Sequence, residues 1–219
     1  GTDINGCINV DSITISLHSL PTATVSNDTT ICIGDTAQLV ASGGTNYTWS
    51  PADSLSSTVI SNPLAWPTVT TNYQVIISDN NGCLDTAQVT VTVNTLPTID
   101  AGTDPTICFG DTTNLSAVGA IDYSWSPADS LSSSIISNPQ AWPSDTTQYI
   151  VTGTDINSCS NTDTVTVNVN PLPNVDAGNN TTICTGDSIQ LNATGAATYI
   201  WSPVTDISDP TIADPFAIP

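Results

Sequence analysis

Polar and apolar side chains alternate strictly through Asp163-Thr164-Val165-Thr166-Val167-Asn168-Val169. A period of two puts the three valines on one face of an extended chain, so the pattern predicts a strand with one buried side. Other short segments between residues 96 and 171 read the same way. Thr112 to Val118 is a strand with Leu115 and Ala117 sharing a face, and Tyr123-Ser124-Trp125-Ser126 is another, stopped by Pro127. Gln148-Tyr149-Ile150-Val151-Thr152 is a further strand, and Thr98 to Cys108 is a first, broken one that ends at a Gly110-Asp111 turn. Asp155-Ile156-Asn157-Ser158 predicts a hairpin turn, for which its counterpart Asp79-Asn80-Asn81-Gly82 is the clearer signal. Ser133 to Trp142 reads as irregular extended chain, interrupted by Pro139. No segment has helical periodicity.

The whole pattern recurs without gaps. Cys32, Cys108 and Cys184 stand at a fixed interval (108 − 32 = 184 − 108 = 76), and Trp49, Trp125 and Trp201 keep it, as do Cys7, Cys83 and Cys159. A period of this length carrying strands means tandem copies of one small β domain. Six or seven strands with one Trp on the third predict an all-β chain of immunoglobulin-like β-sandwich domains in a head-to-tail array. Trp49, Trp125 and Trp201 would fill the core between the sheets. Tyr73 and Tyr149 stand where a tyrosine corner is expected, but the position two residues on is Val75 or Val151, so the sheet-to-sheet disulfide of antibody domains is missing. Trp66 and Trp142, which become Phe216 in the last copy, read as packing residues, with a ligand platform as the alternative.

The copies divide the chain at stiff Leu-Pro joints such as Leu96-Pro97. Residues 1–19 are the C-terminal strand of a truncated repeat, 20–95 and 96–171 are full repeats, and 172–219 is a repeat truncated before its penultimate strand. The ends of neighbouring chains could in principle complete a shared domain by strand addition, but that penultimate strand would still be missing. The phase therefore favours a segment of a longer continuous array. Joints of equal length should set a constant rotation and give a rod with little bending.

Charge changes the functional picture. The chain has no Lys or Arg and 20 acidic residues, all of them Asp, for a formal charge of −20. Such a chain cannot neutralise phosphates, which argues against nucleic acid, and anionic membranes should repel it. No run of apolar residues is long enough for a membrane-spanning helix. Six Cys at repeating positions in small β domains predict disulfides and an oxidising compartment.

Thr30-Ile31-Cys32-Ile33-Gly34-Asp35, Tyr47-Thr48-Trp49-Ser50-Pro51 and Asn81-Gly82-Cys83, together with the closing Thr-Val-Thr-Val strand, resemble the PKD-like and Ig-like tandem repeats of Bacteroidota cell-surface proteins. The repeats of giant gliding adhesins and other proteins exported by the type IX system are similar. The resemblance covers the whole chain and implies an extracellular, surface-displayed array. Asp-Ser/Thr followed by an apolar residue also looks like the O-glycosylation signal of secreted proteins in that lineage, with Thr36, Ser54 and Ser130 as candidates.

Two disulfide schemes stay open. Counting pairs Cys32 with Cys83 and Cys108 with Cys159 inside each domain. The poles of a sandwich argue instead for Cys32 with Cys159 between adjacent domains, which leaves Cys7, Cys83, Cys108 and Cys184 for neighbouring repeats. Asp79 and Asp155 in the last hairpins, with Asp100 and Asp104 at the joint, are candidate calcium ligands, although Asp also favours turns. No cofactor is required. Catalysis has little support: His18 is the single His, there is no Glu or Lys, and no nucleophile or phosphate motif is present. The expected function is an extracellular structural array forming a surface filament, stalk or adhesin, with neighbouring copies, adjacent repeats and surface glycans as partners. The alternative is a carbohydrate-binding or spacer module of a secreted enzyme.

Overall fold

A computed structural model describes residues 1–219, and every regular element in it is a β-strand. The chain divides into two compact units. Unit 1 holds Gly1–Ile99, Gly119–Tyr123 and Thr152–Thr162; unit 2 holds Asp100–Val118, Ser124–Val151 and Asp163–Pro219.

The first full repeat lies in unit 1. Its strands are β1 (Thr24–Val25), β2 (Thr29–Cys32), β3 (Ala37–Gln38), β4 (Ala41–Ser42), β5 (Asn46–Ser50), β6 (Leu64–Ala65), β7 (Thr71–Ser78) and β8 (Leu84–Asn94). One sheet has the order β2-β8-β7-β5, and the layer facing it holds two two-stranded sheets, β1-β4 and β3-β6, whose Ala37, Ala41 and Ala65 join the same core. The broken first strand has a clear cause. β1 pairs antiparallel with β4 in one sheet, and the chain then crosses over so that β2 runs parallel to β8 in the other. At the crossing, Asp28 Oδ1 accepts the Thr90 N–H at 2.7 Å, satisfying a β8 donor.

Alternation selects the core. Tyr73, Val75 and Ile77 on β7 point inward, while Asn72, Gln74 and Ile76 point outward. From the same sheet Trp49 lies opposite Val75 and is buried, and Leu39 and Ala41 come in from the facing sheet. Burying a side chain such as Val89 or Val91 stabilises by about 1.5–3 kcal/mol. The Trp49 indole N–H donates to the Ile60 carbonyl at 2.9 Å, so the ring brings no unsatisfied donor into the core. The expected tyrosine corner is not the arrangement found. The Tyr73 hydroxyl donates at 3.3 Å to the carbonyl of Asp53, twenty residues upstream, in the turn after the cis Ser50–Pro51 bond that ends β5. Tyr149 does the same with Asp129 at 3.3 Å. Burial, with help from the nearby Asp, pushes both phenols above their ordinary pKa.

The second repeat supplies β9 (Thr106–Cys108), β10 (Thr113–Asn114), β11 (Asp122–Ser126), β12 (Gln140–Ala141), β13 (Thr147–Thr154) and β14 (Ser160–Asn170). Its sheet order β11-β13-β14-β9 repeats that of the first, again with the short outer strand parallel to the last one. These two full repeats are tandem immunoglobulin-like β-sandwich domains. Residues 172–219 form only β15 (Ile189–Gln190), paired with β16 (Phe216–Ala217), and Trp201 is half-buried. Thr181-Thr182-Ile183-Cys184 repeats the sequence of β2 but forms no strand, and residues 1–19 make only the Thr2–Ile8 bridge.

Differences between the repeats are compensated inside the core. A Cβ on Gly44 would overlap Ile77, and one on Gly153 would overlap both Ile99 and Ala120. With the period of 76, repeat one holds Ala23, Gly44 and Ile77 where repeat two holds Ile99, Ala120 and Gly153. One isoleucine therefore fills the space in each repeat, approaching from opposite sheets. Gly43, Gly119 and Gly195 do not vary: each has positive φ, and a Cβ there would overlap the backbone carbonyl of Thr22, Thr98 or Asn174.

Two outcomes are expected in urea denaturation. Gly153→Ile alone should destabilise by about 1–3 kcal/mol through overpacking, and adding Ile99→Ala and Ala120→Gly should restore most of the loss. Gly119→Ala should cost at least about 2 kcal/mol, because both the backbone conformation and the space oppose a side chain.

Candidate functional site

The chemistry of the chain concentrates where Cys32 meets Cys159. Cys32 ends β2 in register with Asn94, the last residue of β8. A tight turn follows: Asp35 N–H donates to the Cys32 carbonyl at 3.0 Å, and Gly34 takes φ 96°. Cys159 sits at the end of the last hairpin of the second repeat. There Asp155 Oδ1 accepts the N–H groups of Asn157 and Cys159 at 2.8 and 2.9 Å. The two cysteines are joined by a disulfide, with Cα atoms 5.6 Å apart across a sequence separation of 127. Both belong to unit 1, and Cys159 is fully buried. Thr30, Ile31, Asp35, Thr36, Asn94, Asn157 and Ser158 line an open groove of about 420 Å³ beside the bond.

The pairings within each domain, Cys32 with Cys83 and Cys108 with Cys159, are not formed. Cys83 precedes the first residue of β8, whereas Cys32 is held at its last, and an 11-residue strand spans roughly 35 Å. That is far beyond the reach of a disulfide. Since Cys159 is taken by Cys32, Cys108 is left free. Cys7, Cys108 and Cys184 are exposed thiols and Cys83 is a half-buried one.

The proposed calcium ligands are not gathered into a site. No three His, Cys, Asp or Glu side chains are placed to hold a metal ion. Asp79 and Asp155 each close their own hairpin: Asp79 Oδ1 accepts the Asn81 and Cys83 N–H groups at 2.8 and 2.9 Å. Asp100 accepts the Gly102 N–H at 2.9 Å, and Asp104 accepts the Thr166 N–H at 2.8 Å. Asp85 and Asp163, which no motif marks, tie the first strand to the last. Asp85 accepts the Ala23 N–H and Asp163 the Ala101 N–H, each at 2.8 Å. Those backbone bonds hold both carboxyls below the ordinary carboxylate pKa, as the Cys83 N–H does for Asp79. The repeat gives no signal for them: at the interval of 76, Asp85 falls on Asn161 and Asp163 on Ala87, so each repeat places this carboxylate at a different position of its last strand.

Of the candidate glycan acceptors, Thr36 is exposed and lines the groove, whereas Ser54 and Ser130 are half-buried at φ 58°. His18 is exposed. Trp66 and Trp142, whose pattern predicts packing, are each 43% exposed. Each follows an inward-facing Ala65 or Ala141 on a two-residue strand, so alternation turns the indole outward.

No protein-family model matches the chain, and no curated protein does. Among solved structures it is similar to the N-terminal eight Ig domains of Down syndrome cell adhesion molecule, at 14% identity and TM-score 0.35, covering 80% of this chain and 32% of that one. It is similar to the insect immune protein hemolin, at 17% identity and TM-score 0.37, covering 73% and 49% of the two chains. It is also similar to extracellular cadherin domains 1–4 of protocadherin gamma B7, at 13% identity and TM-score 0.32, covering 88% and 65%. The chain thus spans about a third of the adhesion-molecule structure. The fold assignment rests on the strand order and pairing described above.

Cross-linking residues 127 apart constrains the unfolded chain by about 5 kcal/mol in the loop-entropy description, so Cys32→Ser should lower the melting temperature of the oxidised protein and leave that of the reduced protein nearly unchanged. For Asp85 and Asp163 the folded pKa lies below the unfolded one. Their contribution is present above the ordinary pKa of 3.8 and is lost as pH falls through the folded values. The melting temperature should therefore drop on acidification below about pH 4. Asp163→Asn, which keeps an acceptor oxygen but does not titrate, should show a shallower drop in a pH series.

Proposed function

We propose that the chain is a load-bearing stretch of an extracellular array of immunoglobulin-like repeats, displayed at a cell surface as a filament, stalk or adhesin, and that it is not an enzyme. The observation that carries this reading is the Cys32–Cys159 bond, which ties the body of one repeat to the last hairpin of the next. A link of that kind resists separation of neighbouring repeats, and it persists in an oxidising compartment, not a reducing one. A charge of −20 with no cation keeps such a chain soluble and discourages indiscriminate association. The repeated Cys-x-Gly-Asp and Tyr-x-Trp-Ser-Pro motifs favour an origin among Bacteroidota surface proteins exported by the type IX route, with adjacent repeats and further copies as partners.

A second reading has its own support. Trp66 and Trp142 each leave an indole half open, a feature that supports a carbohydrate-binding module of a secreted enzyme.

Electron microscopy of the native material separates the two: filaments or long stalks are expected, and isolated compact particles attached to a catalytic body would reject the array. A glycan-binding screen comparing the wild type with Trp142→Ala tests the second reading, which requires binding that the variant loses.

A further inference from the structure

Trp66 and Trp142 stand in a setting that the other three tryptophans do not share. Trp49, Trp125 and Trp201 each donate the indole N–H to a backbone carbonyl, at 2.9, 2.8 and 2.9 Å. The indoles of Trp66 and Trp142 have no such acceptor and lie 43% exposed. Both are nevertheless held firmly at their own backbone. The Trp66 N–H donates to the Ser54 carbonyl at 2.9 Å and the Trp142 N–H to the Ser130 carbonyl at 3.0 Å. Each serine takes φ 58°, a left-handed conformation that is unfavourable for a residue with a side chain. The neighbours on either side, Ala65 and Pro67 or Ala141 and Pro143, are buried. An indole anchored this way loses little freedom when a ligand covers it.

The surroundings of Trp142 are polar and uncharged. Thr113 pairs with Ala141 and Asn114 with Gln140, so Thr112 comes opposite Trp142. Alternation puts Thr112, Asn114, Gln140 and Trp142 on one face, and all four are exposed. Gln140 Nε2 donates to Thr112 Oγ1 at 3.3 Å, which leaves the Gln140 Oε1 as an acceptor and the Thr112 O–H as a donor. The first repeat has the same frame in a barer form. The Ala37–Ala65 pair sets Thr36 opposite Trp66, but Leu64 replaces Gln140, and the Gln38 Nε2 that replaces the Asn114 amide is engaged by the Asn62 carbonyl at 2.7 Å.

We propose that Trp142, with Thr112, Asn114 and Gln140, forms a subsite for one hexose ring of an uncharged glycan, and that Trp66 is a weaker copy of it. The negative face of an indole attracts the C–H hydrogens on the apolar side of a pyranose, so the two stack. Ring hydroxyls both donate and accept, which matches the amides and the hydroxyl at the rim. Charge selects the class of glycan. Asp111 and Asp129 adjoin Thr112 and Ser130 in sequence, and the chain has no Lys or Arg to offset them, so a polymer carrying carboxylate or sulfate is repelled. One ring on one indole is held weakly, and a polymer that offers many rings to two subsites is held longer.

This inference rests on the carbohydrate reading and names its ligand class and polar contacts. The test is native electrophoresis of the 219-residue chain through gels containing hydroxyethyl cellulose or galactomannan as neutral polymers, or alginate as a polyuronate. Retardation by a neutral polymer is expected, and none by alginate. Trp142→Ala should weaken binding about tenfold and Trp66→Ala by less, and the two together should abolish it. Trp142→Phe, which keeps an aromatic face, should retain most of it. Asn114→Ala and Gln140→Ala should each weaken it roughly threefold with both indoles in place. All these side chains are exposed, so an unchanged melting temperature is expected for every variant and separates lost contacts from lost folding. No retardation by either neutral polymer, or retardation that survives the double Trp variant, overturns the inference. Retardation by alginate alone, lost in Trp142→Ala, rejects the uncharged class and leaves the carbohydrate reading intact.

Discussion

With no lysine or arginine in the chain, a carboxylate can be satisfied only by N–H groups, hydroxyls and water. The rest of the structure follows from how the aspartates meet that constraint. Asp28 and Asp104 cap the last strand where the first strand changes sheets. Asp85 and Asp163 tie the start of the first strand to the last, and Asp79 and Asp155 close the hairpins that carry the cysteines. Charge-assisted bonds of this kind are roughly twice as strong as neutral ones, and they need no cationic partner. Aspartate here acts as part of the backbone scaffold. The same use explains why carboxylates that looked like calcium ligands do not converge: each is engaged where it stands.

Covalent and non-covalent order meet at the cysteine hairpin. Asp155 fixes the loop, Ser158 takes the left-handed conformation that Gly6 and Gly82 take in the other copies, and Cys159 is thereby presented to the end of β2. The bond does not have to organise this geometry, since Asp79 holds an unbonded hairpin in the same form. A site assembled before its bond closes can be copied along a repeat chain at little further cost in ordering. The cysteines outside the Cys32–Cys159 pair thus carry most of the same local architecture as those within it.

The repeats also show how far such a domain can change without losing its fold. Ile77 and Ile99 fill one region of the core from opposite sheets, and the glycine opposite each makes room for it. Packed interiors respond to single methylene changes, so substitutions of this kind survive only in compensated sets. Gly43, Gly119 and Gly195 have no such freedom, because what approaches them is backbone.

The sequence by itself determined the period, the all-β class, the inward faces of the long strands and the burial of Trp49 and Trp125, since alternation and repetition are local properties of the chain. It offered two pairings for the cysteines, within each domain or between adjacent ones, beside free thiols. Only the tertiary structure decided between them, because the answer depended on β2 running parallel to β8 and so placing Cys32 a full strand length from Cys83. The outward turn of Trp66 and Trp142, the reach of the Tyr73 and Tyr149 hydroxyls to the Asp53 and Asp129 carbonyls, and the engagement of every candidate metal ligand were settled at that level too. Each depends on which distant segment arrives beside it, and no periodicity along the chain encodes that.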